Sequence, residues 1–120
     1  MESLLKNKSV DLIISEVSKE LRLSTDLKGC GIFLYLLKAV IENRNAIYNL
    51  SRLYGDAAQL FEVKKDSISA MVSYAIEKSW EEIEPEIAVK IFGRYNKDLC
   101  PANKKYLASV SEYIRLKIEE

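Results

Sequence analysis

Histidine is absent from this 120-residue chain, and cysteine occurs only twice. Without histidine, neither a Ser/His nor a Cys/His nucleophile pair can form. A zinc site is disfavoured as well, because the only two thiols, Cys30 and Cys100, lie far apart in the sequence. The four glycines are scattered and open no phosphate-binding loop. We therefore expect no enzyme, no metal site and no cofactor.

Long apolar runs and an excess of charge of one sign are also missing. The longest apolar run, Ile32 to Leu37, is too short to span a bilayer, and Met1 to Lys8 lacks the apolar core of a secretory signal. These features predict a cytoplasmic protein with reduced thiols and no membrane partner. Equal numbers of basic and acidic residues, 18 of each, lower the expectation of nucleic-acid binding, although charge segregated onto one face would still permit it.

What the chain does have is apolar residues at helical spacing, and no alternating pattern typical of strands. The first three helices are predicted from Ser9 to about Leu21, from Ile32 to Glu42 at the centre of the core, and from about Asn45. A helix-turn-helix is predicted over 56–80. The last two helices are predicted from Pro85 to Phe92 and from Asn103 to about Ile118. Gly29 and Gly31 are expected to relax the backbone in the first long loop. We expect an all-α protein, with one domain over residues 9–120 preceded by a flexible extension over residues 1–8.

The segment from Leu53 to Trp80 has the spacing of a helix-turn-helix, placed at about 56–80. Ala57 and Ala58 would let two helices cross closely, and Asp66 is the expected N-cap of the second helix. We also expect Gly55 to kink or interrupt the first of these helices. The buried stripe of the second helix is predicted to be Ile68, Val72, Ala75 and Ile76.

The order and spacing of short motifs resemble a known family along nearly the whole chain. The matching stretches are Asp26-Leu27-Lys28-Gly29, Leu36 with Ala39-Val40, Leu53-Tyr54-x-Asp56-x-Ala58-x-x-Phe61, Ala75-Ile76-Glu77-x-x-Trp80, Phe92-Gly93, Pro101-x-Asn103 and Ile114-Arg115-Leu116. From about Val10 onward, the chain resembles the C-terminal effector domains of the sporulation-initiation response regulators of spore-forming Firmicutes. This resemblance implies a six-helix bundle built around a helix-turn-helix, in the winged-helix-like effector-domain superfamily.

The resemblance also implies a function in transcription regulation. Domains of this family bind a short box of double-stranded DNA, usually as tandem copies, and contact RNA polymerase sigma factor. Their phosphorylatable receiver domain has no counterpart in this sequence. We therefore expect a stand-alone domain that is controlled by its expression level or by a partner.

The recognition helix departs from the family pattern. Where the family has several arginines, a glutamate and a histidine, this chain has Ser67, Ser69, Ala70, Ser73 and Tyr74. An arginine fork on a base contributes ~1–3 kcal/mol of discrimination, which serine and alanine do not supply. Candidates for phosphate contacts are Lys64, Lys65, Arg94, Lys97, Lys104 and Lys105, although exposed lysines are most often simply hydrated.

Three functions remain open at this point; for the third, an enzyme or a small-molecule sensor, no residue argues. The first is a stand-alone transcription regulator of the sporulation type that binds DNA through its helix-turn-helix. The second is an effector-like domain that no longer reads DNA specifically and acts by protein contacts, with an intact sporulation regulator, a sigma factor or a second copy of itself. Ala70, Met71 and Tyr74 are the interface candidates for the second function, because Tyr and Met are favoured at the centres of interfaces. Packing against neighbouring helices would explain Met71 and Tyr74 equally well.

Overall fold

Six α-helices, joined by short loops and one 3₁₀ helix, make up the described part of the chain. The computed structural model describes the backbone of residues 2–119 and the side chains of residues 10–119. The α-helices are α1 (Glu2–Glu20), α2 (Lys28–Glu42), α3 (Leu50–Leu60), α4 (Lys65–Glu82), α5 (Pro85–Phe92) and α6 (Asn103–Glu119), and the 3₁₀ helix spans Arg44–Asn49. No strand occurs within residues 2–119, so the predicted all-α class is confirmed. None of these helices is long and apolar enough to cross a membrane.

Helix α2 lies at the centre of the core, as its apolar sequence predicts. Five of its side chains are at most 1% exposed, namely Ile32, Phe33, Leu36, Leu37 and Val40. They pack against α4 on one side and α6 on the other. Because α2 has almost no polar face, its burial removes a large apolar surface from water.

A buried polar network joins three elements next to this core. The Ser79 hydroxyl donates to the Leu21 carbonyl at 2.6 Å and accepts from the Tyr106 hydroxyl at 2.6 Å. Ser79 and Tyr106 are both fully buried, so the Tyr106 hydroxyl depends on Ser79 for its hydrogen bond. Burial raises the pKa of Tyr106 well above its ordinary value, which keeps its hydroxyl protonated and able to donate. The network fixes α6 against α4 and the end of α1.

The prediction for Gly29 and Gly31 is wrong, because both lie inside α2. The Gly29 Cα faces α4 at the point where the two helices cross. A Cβ on Gly29 would overlap with the Met71 carbonyl oxygen and would lie 2.8 Å from its carbonyl carbon. Gly29 is therefore required by a close approach between two helices and not by a loop, and only the lack of a side chain permits it.

Other boundaries also differ from the sequence prediction. Helix α1 begins at Glu2 instead of near Ser9, so the backbone of residues 2–8 belongs to this helix. The rest of the predicted extension over residues 1–8, namely residue 1 and the side chains, lies outside what the structure describes. Helix α3 runs through Gly55 without interruption, because the buried Ala57 and Ala58 continue its inward face. Pro85 and Gly93 do bound α5 as predicted, with Gly93 in the left-handed conformation at φ +84°.

Replacing Gly29 with alanine should destabilise the protein by at least ~1–3 kcal/mol, because the new methyl group overpacks the α2–α4 crossing. Gly31→Ala is the matched control in the same helix: its Cβ would meet only Phe61 Cε1 at 3.6 Å. That substitution should stabilise by ~0.5–1 kcal/mol through helix propensity. Urea unfolding of both variants measures the change in the free energy of unfolding. Equal changes in the two variants would contradict the close approach of α2 and α4 at Gly29.

Candidate nucleic-acid interface

The connection between α3 and α4 is a tight turn over residues 61–64. The Val63 N–H donates to the Ala58 carbonyl at 3.0 Å and the Glu62 N–H donates to the Gln59 carbonyl at 3.4 Å, which together make a Schellman motif. Glu62 has φ +56° at the position where glycine is usual. Ala57 and Ala58 are buried, as small residues between packed helices are. Their part in a close crossing of two helices stays a prediction.

The start of α4 differs from the sequence prediction. Lys64 occupies the N-cap position and makes no side-chain capping bond, while the Ser67 N–H donates to the Lys64 carbonyl at 2.9 Å. Asp66, the expected N-cap, lies within the first turn. The prediction was wrong because Lys64 is the last extended residue, so the helix begins earlier than Asp66. The Asp66 carboxylate still complements the positive end of the helix dipole.

The buried side of α4 is the predicted one, and the exposed side divides into two edges. Ile68, Val72, Ala75 and Ile76 are each at most 1% exposed. Among the five recognition candidates, Ser69, Ala70 and Tyr74 are exposed, whereas Ser67 and Ser73 are half-buried. Ser69 and Ser73 face α6, while Ala70 and Tyr74 lie on the side of α2.

Asn103, the first residue of α6, connects the serine edge of α4 to the rest of the molecule. Its Oδ1 accepts from the Ser73 hydroxyl at 2.9 Å. Its Nδ2 donates to the Ser69 carbonyl at 3.1 Å and lies 3.5 Å from the Ser69 and Tyr54 hydroxyls. From the sequence, Asn103 is expected only to start the last helix and to belong to a motif. No local signal indicated this role, because its partners are 30 or more residues away in the chain.

A groove of about 470 Å³ runs along the serine edge between α4 and α6, and we call it the α4–α6 groove. Tyr54, Ser69, Ser73 and Asn103 line it, and Lys104 borders it. The Lys104 ammonium group lies 5.7 Å from the centre of the Tyr48 ring, so that it is held beside the 3₁₀ helix. The groove therefore combines small polar side chains with one cation at its edge and one carboxylate, that of Glu77, in its lining.

The six candidates for phosphate contacts are all exposed, but they do not form one patch. Lys64 and Lys65 lie at the start of α4, where the Lys65 ammonium donates to the Ser51 hydroxyl at 3.1 Å. Lys104 borders the α4–α6 groove. Arg94 and Lys105 border a different cleft, beyond the segment 100–102. Lys97 lies in the loop before α6 and lines neither.

Charge along the exposed side of α4 is only partly segregated, because Asp66 stands beside the lysines in the first turn and Lys78 pairs with Glu81. Lys64 and Lys65 stand at its beginning, and Glu81 and Glu82 stand at its end without any basic residue in the last turn. Both placements oppose the helix dipole, which favours acids at the beginning and bases at the end by ~0.3–1 kcal/mol each. Helix stability therefore does not account for the position of these lysines.

The other edge of α4 is apolar. Ala70, Met71 and Tyr74 line a groove of about 310 Å³ together with Leu27 and Lys28, and we call it the α2–α4 groove. Tyr74 is 51% exposed, and the Lys78 ammonium lies 5.6 Å from the centre of its ring. Met71 is partly packed on the core. The structure thus brings the three predicted interface residues together.

The thiols and carboxylates do not assemble into a reactive site in the part of the chain described. Cys30 and Cys100 are free thiols, and burial raises the pKa of both, with the Glu77 charge adding to the effect at Cys100. A raised pKa keeps a thiol protonated and less nucleophilic. No three Cys, Asp or Glu side chains among the described residues are grouped so that they could hold a metal ion.

No protein-family model matches this chain, and no curated protein matches it either. The helix-turn-helix and the resemblance to sporulation effector domains therefore stay predictions, and they enter the proposal below.

The bond between Asn103 and Ser73 should be measurable as a coupling between the two side chains. In a double-mutant cycle with Asn103→Ala and Ser73→Ala, we expect an interaction energy of ~0.5–1.5 kcal/mol, which is typical of one net hydrogen bond. The control cycle pairs Asn103→Ala with Ser67→Ala, since Ser67 has no contact with Asn103 among those described, and should give nearly zero. Chemical denaturation supplies all the free energies, and equal coupling in both cycles would contradict this geometry.

Proposed function

We propose that α3, the 61–64 turn and α4 form a helix-turn-helix, and that the protein is a cytoplasmic transcription-regulator domain of the sporulation effector type that binds double-stranded DNA. The observation that supports it most is the position of Lys64 and Lys65 at the start of α4, against the helix dipole. In helix-turn-helix proteins, the N-terminal part of the second helix enters the major groove. Cations at this place meet the phosphates on the groove's edges.

The arrangement around α4 agrees with this orientation. Lys104 lies at the start of α6, beside the serine edge of α4, so that three lysines stand near the N-terminal half of α4. Of the acidic residues in its C-terminal half, Glu81 and Glu82 stand in the last turn, farthest from the DNA in such a complex, whereas Glu77 lines the α4–α6 groove. The local excess of lysines near the start of α4 partly offsets the neutrality of the whole chain.

Base discrimination in the proposed complex is weak. Asn103 already binds Ser69 and Ser73, so their hydroxyls are only partly free for base edges. Ala70 offers a methyl group, which can contact only a thymine methyl. Affinity then comes mainly from phosphates, which position a protein on DNA and carry no sequence information. The proposal assigns no catalytic step and no cofactor to the protein.

A charge-reversal pair tests the role of the α4 lysines. Lys64→Glu should weaken binding to a DNA duplex and make the slope of log K against log salt shallower by about one unit, because one phosphate contact is lost. The same substitution should stabilise the fold by ~0.3–1 kcal/mol, since an acid at the start of α4 suits the dipole. Fluorescence anisotropy measures the first effect and urea unfolding measures the second.

Lys90→Glu is the control for this pair, because it changes the net charge equally. Lys90 is exposed in the last turn of α5, where a cation suits the helix dipole, so its reversal should cost stability. It should leave the salt slope unchanged. If the two variants lost DNA affinity equally, the change in net charge alone would explain the loss, and this result would contradict the proposal.

A second function is favoured by the α2–α4 groove. Its apolar lining and the half-exposed Tyr74 fit a protein contact, in which an aromatic side chain supplies a large rigid surface. The partner would be an intact sporulation regulator, a sigma factor or a second copy of the chain. This function requires no DNA contact by α4.

Tyr74→Ala distinguishes this second function from DNA binding. If the α2–α4 groove is an interface, the substitution should weaken binding to an intact sporulation regulator by at least about tenfold, typical of an aromatic anchor. Tyr48→Ala is the control, because Tyr48 is 78% exposed and lies away from this groove. Anisotropy of the labelled chain measures binding. An unchanged affinity in Tyr74→Ala, or an equal loss in both variants, would exclude this interface.

A further inference from the structure

A cleft lined by aromatic residues lies between the ends of α4 and α5 and the loop over residues 93–102. Its volume of about 600 Å³ is within the range of small-molecule sites. We call it the aromatic cleft. It is separate from the surfaces discussed above, apart from the segment 100–102 that divides it from the α4–α6 groove.

The floor of the aromatic cleft is held together by ring contacts and hydrogen bonds. The Trp80 ring lies 5.4 Å from that of Phe92 and 5.3 Å from that of Tyr95, measured between ring centres. The Trp80 indole N–H donates to the Asn96 carbonyl at 3.0 Å. The Asn96 side chain in turn accepts from the Asp98 N–H at 2.9 Å. These bonds hold the loop over Trp80, so the cleft is formed before any ligand enters.

Among the described side chains, the rim of the aromatic cleft carries two cations and no acid. Arg94 and Lys105 line the cleft and are exposed. Within residues 10–119, neither of them forms an ion pair with a carboxylate. Asp98 is in the same loop but does not line the cleft. An unpaired guanidinium and an unpaired ammonium beside an apolar floor are complementary to a molecule that is apolar at one end and anionic at the other.

We propose that the aromatic cleft binds a small aromatic carboxylate. A flat ring fits beside the half-buried Tyr95 and against the small exposed part of Trp80, which is 4% of that residue, and offset or edge-to-face contacts between rings are favourable. The carboxylate then reaches Arg94, whose planar fork can bind two oxygens, and Lys105. Inorganic phosphate lacks the apolar body, and a neutral ring lacks the charge. This site does not depend on the proposed DNA binding.

The single tryptophan of the chain makes the test direct, because one indole N–H resonance reports on the floor of the cleft. The full chain is titrated with 2-naphthoate in ¹⁵N-edited NMR spectra at low salt. Naphthalene-2-carboxamide, which has the same shape but no charge, is titrated in parallel. We expect a saturable shift of the Trp80 indole resonance with the carboxylate, and binding at least about threefold weaker with the amide, the size of an exposed ion pair.

Exposed-charge variants complete the test without risk to the fold. Arg94→Gln and Lys105→Gln should each weaken 2-naphthoate binding about threefold to fivefold and leave amide binding unchanged. Lys97→Gln is the control, because Lys97 is in the same loop but does not line the cleft. No saturable shift at millimolar 2-naphthoate, equal affinity for the two probes, or equal effects in all three variants would each overturn the proposal.

Discussion

The close approach of α2 and α4 at Gly29 is the constraint on which the exposed surfaces of this protein depend. Met71 contributes its backbone to this contact from the middle of α4, so the crossing sets both the distance and the rotation of α4 on the core. A side chain at position 29 would push α4 outward and turn its edges away from their neighbours. Because interiors are close-packed, such a shift is not absorbed locally.

With α4 fixed in this way, its two exposed edges acquire different chemistry. The edge next to α6 is polar, and Asn103 connects it to α3 and α6 through Ser73, Ser69 and Tyr54. The edge next to α2 is apolar, with Ala70 and Tyr74 exposed. The lysines at the start of α4 are placed against the helix dipole, and this cost in stability is what favours a role for them in binding.

Sequence reasoning was most successful where one face of a helix determines its burial. The stripe of Ile68, Val72, Ala75 and Ile76 and the limits of α5 follow from helical periodicity and from Pro85 and Gly93. It failed where a distant element decides the outcome. Gly29 was assigned to a loop, since glycine has poor helix propensity, but the contact with α4 overrides that preference.

The candidate surfaces were predictable to a similar extent. The exposure of Ala70 and Tyr74 followed from their positions opposite the buried stripe. The hydrogen bonds of Asn103 could not be predicted from the sequence, because they join residues that are 30 or more positions apart. The same holds for the aromatic cleft, which combines the ends of two helices with a loop; its residues share no periodicity that a sequence pattern could reveal.

The salt dependence of duplex binding tests the central claim most directly. The unmodified protein is titrated with a duplex containing the sporulation family's DNA box and with a scrambled duplex over a range of salt concentrations. With phosphate contacts from Lys64, Lys65 and Lys104, the slope of log K against log salt should be about −3 for both duplexes, with little preference for the box. Absence of binding at low salt, or a flat slope, would contradict the account.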